Sequence, residues 1–226
     1  SNLGSLNNSN VSRDISAVAN MAGKVPSAST VSRSADSIDL DPIREILKSI
    51  YSKPKRLKII EPYYGKYIGI VDGHEIFSSD IRWCGSCSAR NVSKVEGEIK
   101  LNYYHRYVAF ILVGEKFCFM LDIEPIYPNE GELTSSGRLL ERICAAYPKA
   151  FEVVVGDGLY LNGNIFNLLA SHGKYAAAVL KDETRQLYDE AVSLCSIVDP
   201  VIYKDENTTY KIWDNTIEGD WDSYNK

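Results

Sequence analysis

Nowhere does the sequence hold an apolar run approaching ~18 residues, the length a membrane-spanning helix needs, so no transmembrane segment and no membrane partner are expected. The N-terminus lacks a basic stretch followed by an apolar one, and no secretory signal is read there. Cysteine is sparse and odd in number, five in 226 residues. That does not make a disulfide framework, and it points to a reducing cytoplasm. There is one C-x-x-C, no second, and no H-x-x-x-H, so a complete four-ligand zinc motif is missing. What is present is ordinary: 45% hydrophobic and 24% charged residues exclude a collagen-like or wholly disordered chain.

The net charge of −5 argues mildly against nucleic-acid binding, but it is unevenly spread. Residues 1–70 carry ten Lys/Arg against six Asp/Glu, whereas residues 71–200 carry twelve against eighteen. Acid therefore concentrates mid-chain, where carboxylates can hold cations that offset their charge. A solvated acidic surface accounts for most of them whatever the function.

Eight of the first twelve residues are Ser or Asn, and residues 1–40 read as a flexible segment. Asp41 as N-cap and Pro42 as first helical residue open a helix with the stripe Ile43, Ile46, Leu47, Ile50, and Lys53-Pro54-Lys55-Arg56 is expected to break it. A run from Tyr67 to Asp72 reads as a strand. After a polar, cysteine-bearing stretch, Tyr103–Val113 and Phe117–Ile123 read as a hairpin about Gly114-Glu115-Lys116. Asn129 and Glu132 have capping-box spacing ahead of a helix carrying Leu133, Leu140, Ile143, Cys144 and Tyr147. A strand ending at Asp157, a helix from Gly163 to Ser171, a strand Tyr175–Leu180 and a helix capped by Asp182 follow. The order β-β-β-α-β-α-β-α over residues 41–200 implies an α/β fold with a mixed sheet flanked by helices. Beyond Pro200 the chain turns strand-like again.

Asp72 and Asp157 carry the most information. Each is read as ending an apolar strand, and each precedes a glycine. A carboxylate at a buried strand end is costly unless paired, hydrogen-bonded or bound to a cation; the plain alternative is an Asp-Gly turn cap. Should the first and fourth strands lie side by side in parallel, the two carboxylates meet at one sheet edge and suit Mg²⁺ or Mn²⁺.

The strings Val71-Asp72-Gly73, Cys84-Gly85-Ser86-Cys87, Tyr104-His105-Arg106, Glu124-Pro125-Ile126, Glu130-Gly131-Glu132, Val154 to Tyr160 and Val179 to Glu183 resemble, in that order, bacterial insertion-sequence transposases of the DDE class. The resemblance covers about Pro26 to Trp213. It implies an RNase H-like core, DNA as partner, and cleavage and strand transfer at two divalent ions about 3.5–4 Å apart. It also implies that Asp72 bridges the ions and Asp157 ligates one. Lys181 is a candidate DNA-phosphate contact, with an ordinary helix-entry lysine as the alternative, and a homodimer is a further expectation. The family's third acid, a Glu on a late helix beyond a β-rich insertion, finds no match: Glu218 has no helical pattern around it. Residues 201–226 are accordingly expected to begin that insertion, and the chain to be a core fragment that binds these metals weakly and does not transpose alone.

Three rival readings stand beside this one. The first is an inactive, DNA-binding transposase remnant. The second is a redox site at Cys84 and Cys87, which requires a helix after the pair. The third is a zinc knuckle in which His74 or His105 joins the two cysteines. For His105, between tyrosines, packing within a strand is the expected role.

Overall fold

The computed structural model describes residues 39–93, 99–181, 186–213, 221 and 224. The chain divides into two compact units, Ser1–Ile46 and Leu47–Lys226. Of the first, residues 39–46 are described, as the opening of a helix; residues 1–38, expected to be flexible, lie outside the described residues.

Helix α1 covers Leu40–Arg56. Two expectations are corrected in it. Capping falls to Asp39, whose carboxylate accepts the Asp41 N–H at 3.1 Å, while Asp41 pairs with Arg44. Nor does Pro54 break the helix. It sits in the last turn, where its missing N–H forfeits a single bond, and it is buried there together with Tyr51. Tyr51 packs edge-on against Tyr147, with ring centroids 5.5 Å apart, and lies 5.7 Å from Phe119.

The main sheet has six strands: β1 (Ile68–Ser79), β2 (Ser88–Ser93), β3 (Ile99–Val113), β4 (Cys118–Ile126), β5 (Val153–Gly156) and β6 (Tyr175–Ala178). Along one path the order is β2-β3-β1-β5-β6, and β4 also pairs with β3. The 15-residue β3 makes this possible. One edge pairs antiparallel with β1 from Tyr103 to Val113, while the other takes β2 over Ile99–Tyr104 and β4 over Arg106–Val113. β5 joins β1 in parallel and β6 joins β5 in parallel. The fold is thus α/β with a mixed sheet. The expected strand and helix order holds once β2, which lies in the polar, cysteine-bearing stretch where no strand is expected, is added.

Helix α2 (Glu132–Ala146) packs on β3 and β4, and α3 (Gly163–Ser171) packs on β6 and α2. The Asn129 capping box does not form: Gly131 is the N-cap and no side chain caps it. Leu139, Leu140, Ile143 and Leu169 meet Val71, Val108, Phe110 and Leu112 in a core where each is at most 1% exposed. Phe110 and Phe151 lie 4.8 Å apart at its centre. Gly69 makes room for them, since a Cβ there would fall within the Phe110 ring. The other face of the sheet is more open, with Ile70, Met120 and Ile123 each more than a third exposed.

Helix α4 (Gln186–Cys195) buries no residue, and Asp182, its expected cap, lies outside the described residues. Strands β7 (Val201–Asp205) and β8 (Thr208–Ile212) form a separate, fully exposed hairpin. Trp221 and Tyr224 pack on Phe166 of α3, and Glu218 lies outside the described residues. Among the described residues no helix is long and apolar enough to cross a membrane.

Candidate functional site

The parallel ladder between β1 and β5 sets the geometry. It pairs Ile68, Gly69 and Ile70 with Val153, Val154 and Val155 at a constant offset of 85 residues, the offset that also separates Asp72 from Asp157. Residues in register on parallel strands point to the same face, and alternation with buried Val71 puts Ile70 and Asp72 on the open one.

Asp72 does not end its strand, contrary to expectation. It is paired with Ala109, and β1 continues to Ser79 because β3 goes on satisfying its backbone after β5 has stopped at Gly156. Asp72 therefore stands where β1 loses one of its two neighbours. Asp157 does follow the end of its strand, and it also caps a turn: its Oδ1 accepts the Leu159 N–H at 2.9 Å, opening a single 3₁₀ turn, Gly158–Tyr160. Lys181 follows β6 and is exposed. A Cβ built on Gly158 would lie 3.9 Å from the Lys181 Cβ, so this lysine flanks the Asp157-Gly158 turn.

Two further residues reach this end of the sheet: Glu132, expected from the sequence only as a capping-box residue, and Tyr160, with no expected role. Glu132, in the first turn of α2, lays its carboxylate where a Cβ of residue 73 would be, so that Gly73, next to Asp72, gives it the space. The Tyr160 hydroxyl donates to Glu132 Oε1 at 3.0 Å and lies 3.1 Å from the Ser136 hydroxyl. Burial drives the Tyr160 hydroxyl well above the usual tyrosine range; the Ser136 contact opposes this, and the charges of Glu132 and Asp72 add to it.

The start of α2 is held by a charge network. Arg138 donates to Glu124 Oε1 at 2.9 Å and to both oxygens of Glu130, while Arg142 bridges Asp122 at 2.6 Å and Glu124 at 2.8 Å. The Glu130 carboxyl is drawn down from 4.5 to about 2, first by the Arg138 hydrogen bonds and against burial, with the Tyr127 N–H and the Ser135 hydroxyl assisting. A carboxyl depressed in the folded state contributes stability above its unfolded value, and this is lost as pH falls through the folded one. Glu130→Gln is therefore expected to lower Tm at neutral pH and to flatten its fall between pH 4.5 and about 2. Superimposable Tm-versus-pH curves for both chains would remove Glu130 from the network.

A second cluster joins Cys84 and Cys87, on the loop from β1 to β2, to His105 of β3. The two sulfurs are 3.7 Å apart, and His105 Nε2 lies 3.4 Å from Cys84 Sγ and 3.2 Å from Cys87 Sγ. His105 thus does more than pack within its strand, whereas His74 lies edge-on to Tyr107. Burial raises the Cys87 thiol, but hydrogen bonds from the Cys84 and Trp83 backbone and from the Cys84 side chain, with the charge of Arg82, bring it below its ordinary value. The redox expectation loses its helix: β2 follows the pair, so no helix N-terminus acts on the thiols.

Compared with known proteins, the chain matches no family model, no curated protein and no solved structure.

Proposed function

We propose that this chain is an RNase H-like catalytic core of the DDE transposase class, acting on DNA phosphodiesters with Mg²⁺ or Mn²⁺ held by Asp72 and Asp157. The observation that carries the reading is the parallel β1–β5 pairing over Ile68–Ile70 and Val153–Val155, whose offset of 85 residues, continued two residues past the ladder, matches Asp72 with Asp157. The β-β-β-α-β-α-β-α order that the resemblance implies supports it, as does the separate β7–β8 hairpin where a β-rich insertion is expected to begin.

The donor set fits the cation. Carboxylate oxygens on an open face suit hard, partly hydrated Mg²⁺ or Mn²⁺. When bound, such ions neutralise charge on the scissile phosphate and make the attacking oxygen available at neutral pH. The chain's own residues orient the substrate. Asp72 and Asp157 fix the cation position, the 3₁₀ turn holds the Asp157 carboxylate in place, and Lys181 contacts a DNA phosphate as a positioning residue. Glu132, held by Tyr160, adds negative charge at the same end of the sheet.

The test uses duplex DNA and Mn²⁺. Wild type, with two acids and no third one matched, is expected to nick the duplex slowly, and Asp72→Asn and Asp157→Asn to reduce that nicking by more than about 100-fold, since even outer-shell changes at metal sites cost about 10–100-fold. Calorimetric titration with Mn²⁺ gives a readout independent of activity: both variants are expected to lose the binding that wild type shows. Equal Mn²⁺ affinity in all three chains overturns the site. DNA binding without metal-dependent nicking overturns the catalytic assignment and supports an inactive DNA-binding remnant.

A further inference from the structure

We infer that Cys84, Cys87 and His105 form a Zn²⁺ site that pins the β1–β2 loop to β3. It shares no residue with the acidic edge and does not rest on the proposed function.

The three ligand atoms have the spacing that a tetrahedral ion imposes. With Zn–S of about 2.3 Å and Zn–N of about 2.0–2.1 Å, tetrahedral angles place two sulfurs about 3.8 Å apart and each sulfur about 3.6 Å from the nitrogen. The observed separations are 3.7, 3.4 and 3.2 Å. A disulfide is a different geometry, since it needs about 2.05 Å between the sulfurs. Hydrogen bonding among neutral groups does not explain the arrangement well either. A ring nitrogen offers one lone pair or one N–H, yet both sulfurs converge on the same Nε2. A cation between the three satisfies all of them at once.

Ligand chemistry selects the metal. Two thiolates and an imidazole are the soft and borderline donors that favour zinc over Mg²⁺ or Mn²⁺. Binding releases the two thiol protons, so the thiolates balance the charge of the ion. The loop is already shaped for the task. Arg82 donates to the carbonyls of Cys84 at 3.1 Å and Gly85 at 2.8 Å, and the Trp83 indole N–H donates to Ser79 Oγ at 3.1 Å. Cys87 is buried and Cys84 exposed, which places the ion at the protein surface with its fourth position open to water. Zinc there would tie residues 84 and 87 to a strand 18–21 positions away.

The experiment measures metal content and affinity on the whole chain. Reduced protein is incubated with ZnCl₂, freed of excess metal by gel filtration, and its zinc quantified by mass spectrometry. About one Zn²⁺ per chain is expected. Competition with a chromophoric chelator is expected to show affinity falling by more than about 100-fold in Cys84→Ser and in His105→Gln, with Cys118→Ser and Asp72→Asn unchanged. Cys84 lies on an exposed loop, so circular dichroism of that variant separates loss of metal from loss of fold. X-ray absorption of the zinc-loaded chain is expected to report two sulfur ligands. In addition, trypsin cleavage after exposed Arg82 is expected to slow when zinc is present. A reduced wild type that retains no zinc overturns the inference, as do folded Cys84→Ser and His105→Gln chains that bind zinc like wild type. Retention of the Asp72→Asn signal with loss of the Cys84→Ser signal keeps this result separate from any failure at the acidic edge.

Discussion

Phe110→Ala is expected to destabilise the protein by about 3–5 kcal/mol, the range for removing a buried phenylalanine from a core. Phe110 is fully buried, lies 4.8 Å from Phe151, and covers Gly69 of the neighbouring strand. Truncation leaves a void between β1, β3 and β5 that backbone on both sides prevents from collapsing. Domains of ordinary stability hold about 5–15 kcal/mol in total, so the variant should unfold at much lower urea. Equilibrium urea denaturation of both chains measures the difference. A loss under about 1 kcal/mol would mean the site repacks, contrary to the close approach seen at Gly69.

Arg142→Met should cost a similar amount, about 3–5 kcal/mol, for an electrostatic reason. Methionine keeps much of the apolar stem of arginine but removes the guanidinium that donates to Asp122 at 2.6 Å and to Glu124 at 2.8 Å. Asp122 and Glu124 are only 4% and 6% exposed, so water cannot readily replace the lost cation, and Arg138 remains on Glu124. The added substitutions Asp122→Asn and Glu124→Gln should recover most of the loss, because the buried charges go with them. A cycle built from these variants isolates the coupling. If the triple variant is no more stable than Arg142→Met alone, the cost lies in packing along the arginine stem and the network contributes little.

The extent of α3, stopped by Gly173, and the β3–β4 hairpin were legible, the hairpin with β3 begun four residues late and β4 ended three residues early, because apolar runs and glycine stops are local features. β2 was invisible for the opposite reason. Ser88-Ala89-Arg90-Asn91-Val92-Ser93 has no apolar alternation; it is a strand because β3 offers a long unpaired edge, with Arg90 stacking on Tyr104 and pairing with Glu75. Pro54 misled through its position, since a proline in a final turn is tolerated where one in mid-helix is not. At the site, the offset linking Asp72 to Asp157 could be posed from sequence as a condition on strand order, and that order is now seen. Glu132 is different, since chain segments distant in sequence bring it to its neighbours and no spacing rule connects them, while His105 could be named beside the C-x-x-C but not told apart from His74.

The same offset has a consequence for biosynthesis. β3 and β4 can zip together from a short turn soon after they emerge and β1 can join β3, whereas the second partner of β1 is a strand made 85 residues later. At about 5–20 residues per second that delay is roughly 4–17 s. Pairings so distant in sequence also bear the entropy of closing a long loop before any contact rewards it. The β1–β5 pairing is therefore a late event, and through that interval β1 has β3 alone as a neighbour, so the parallel half of the sheet is completed on an antiparallel half already in place.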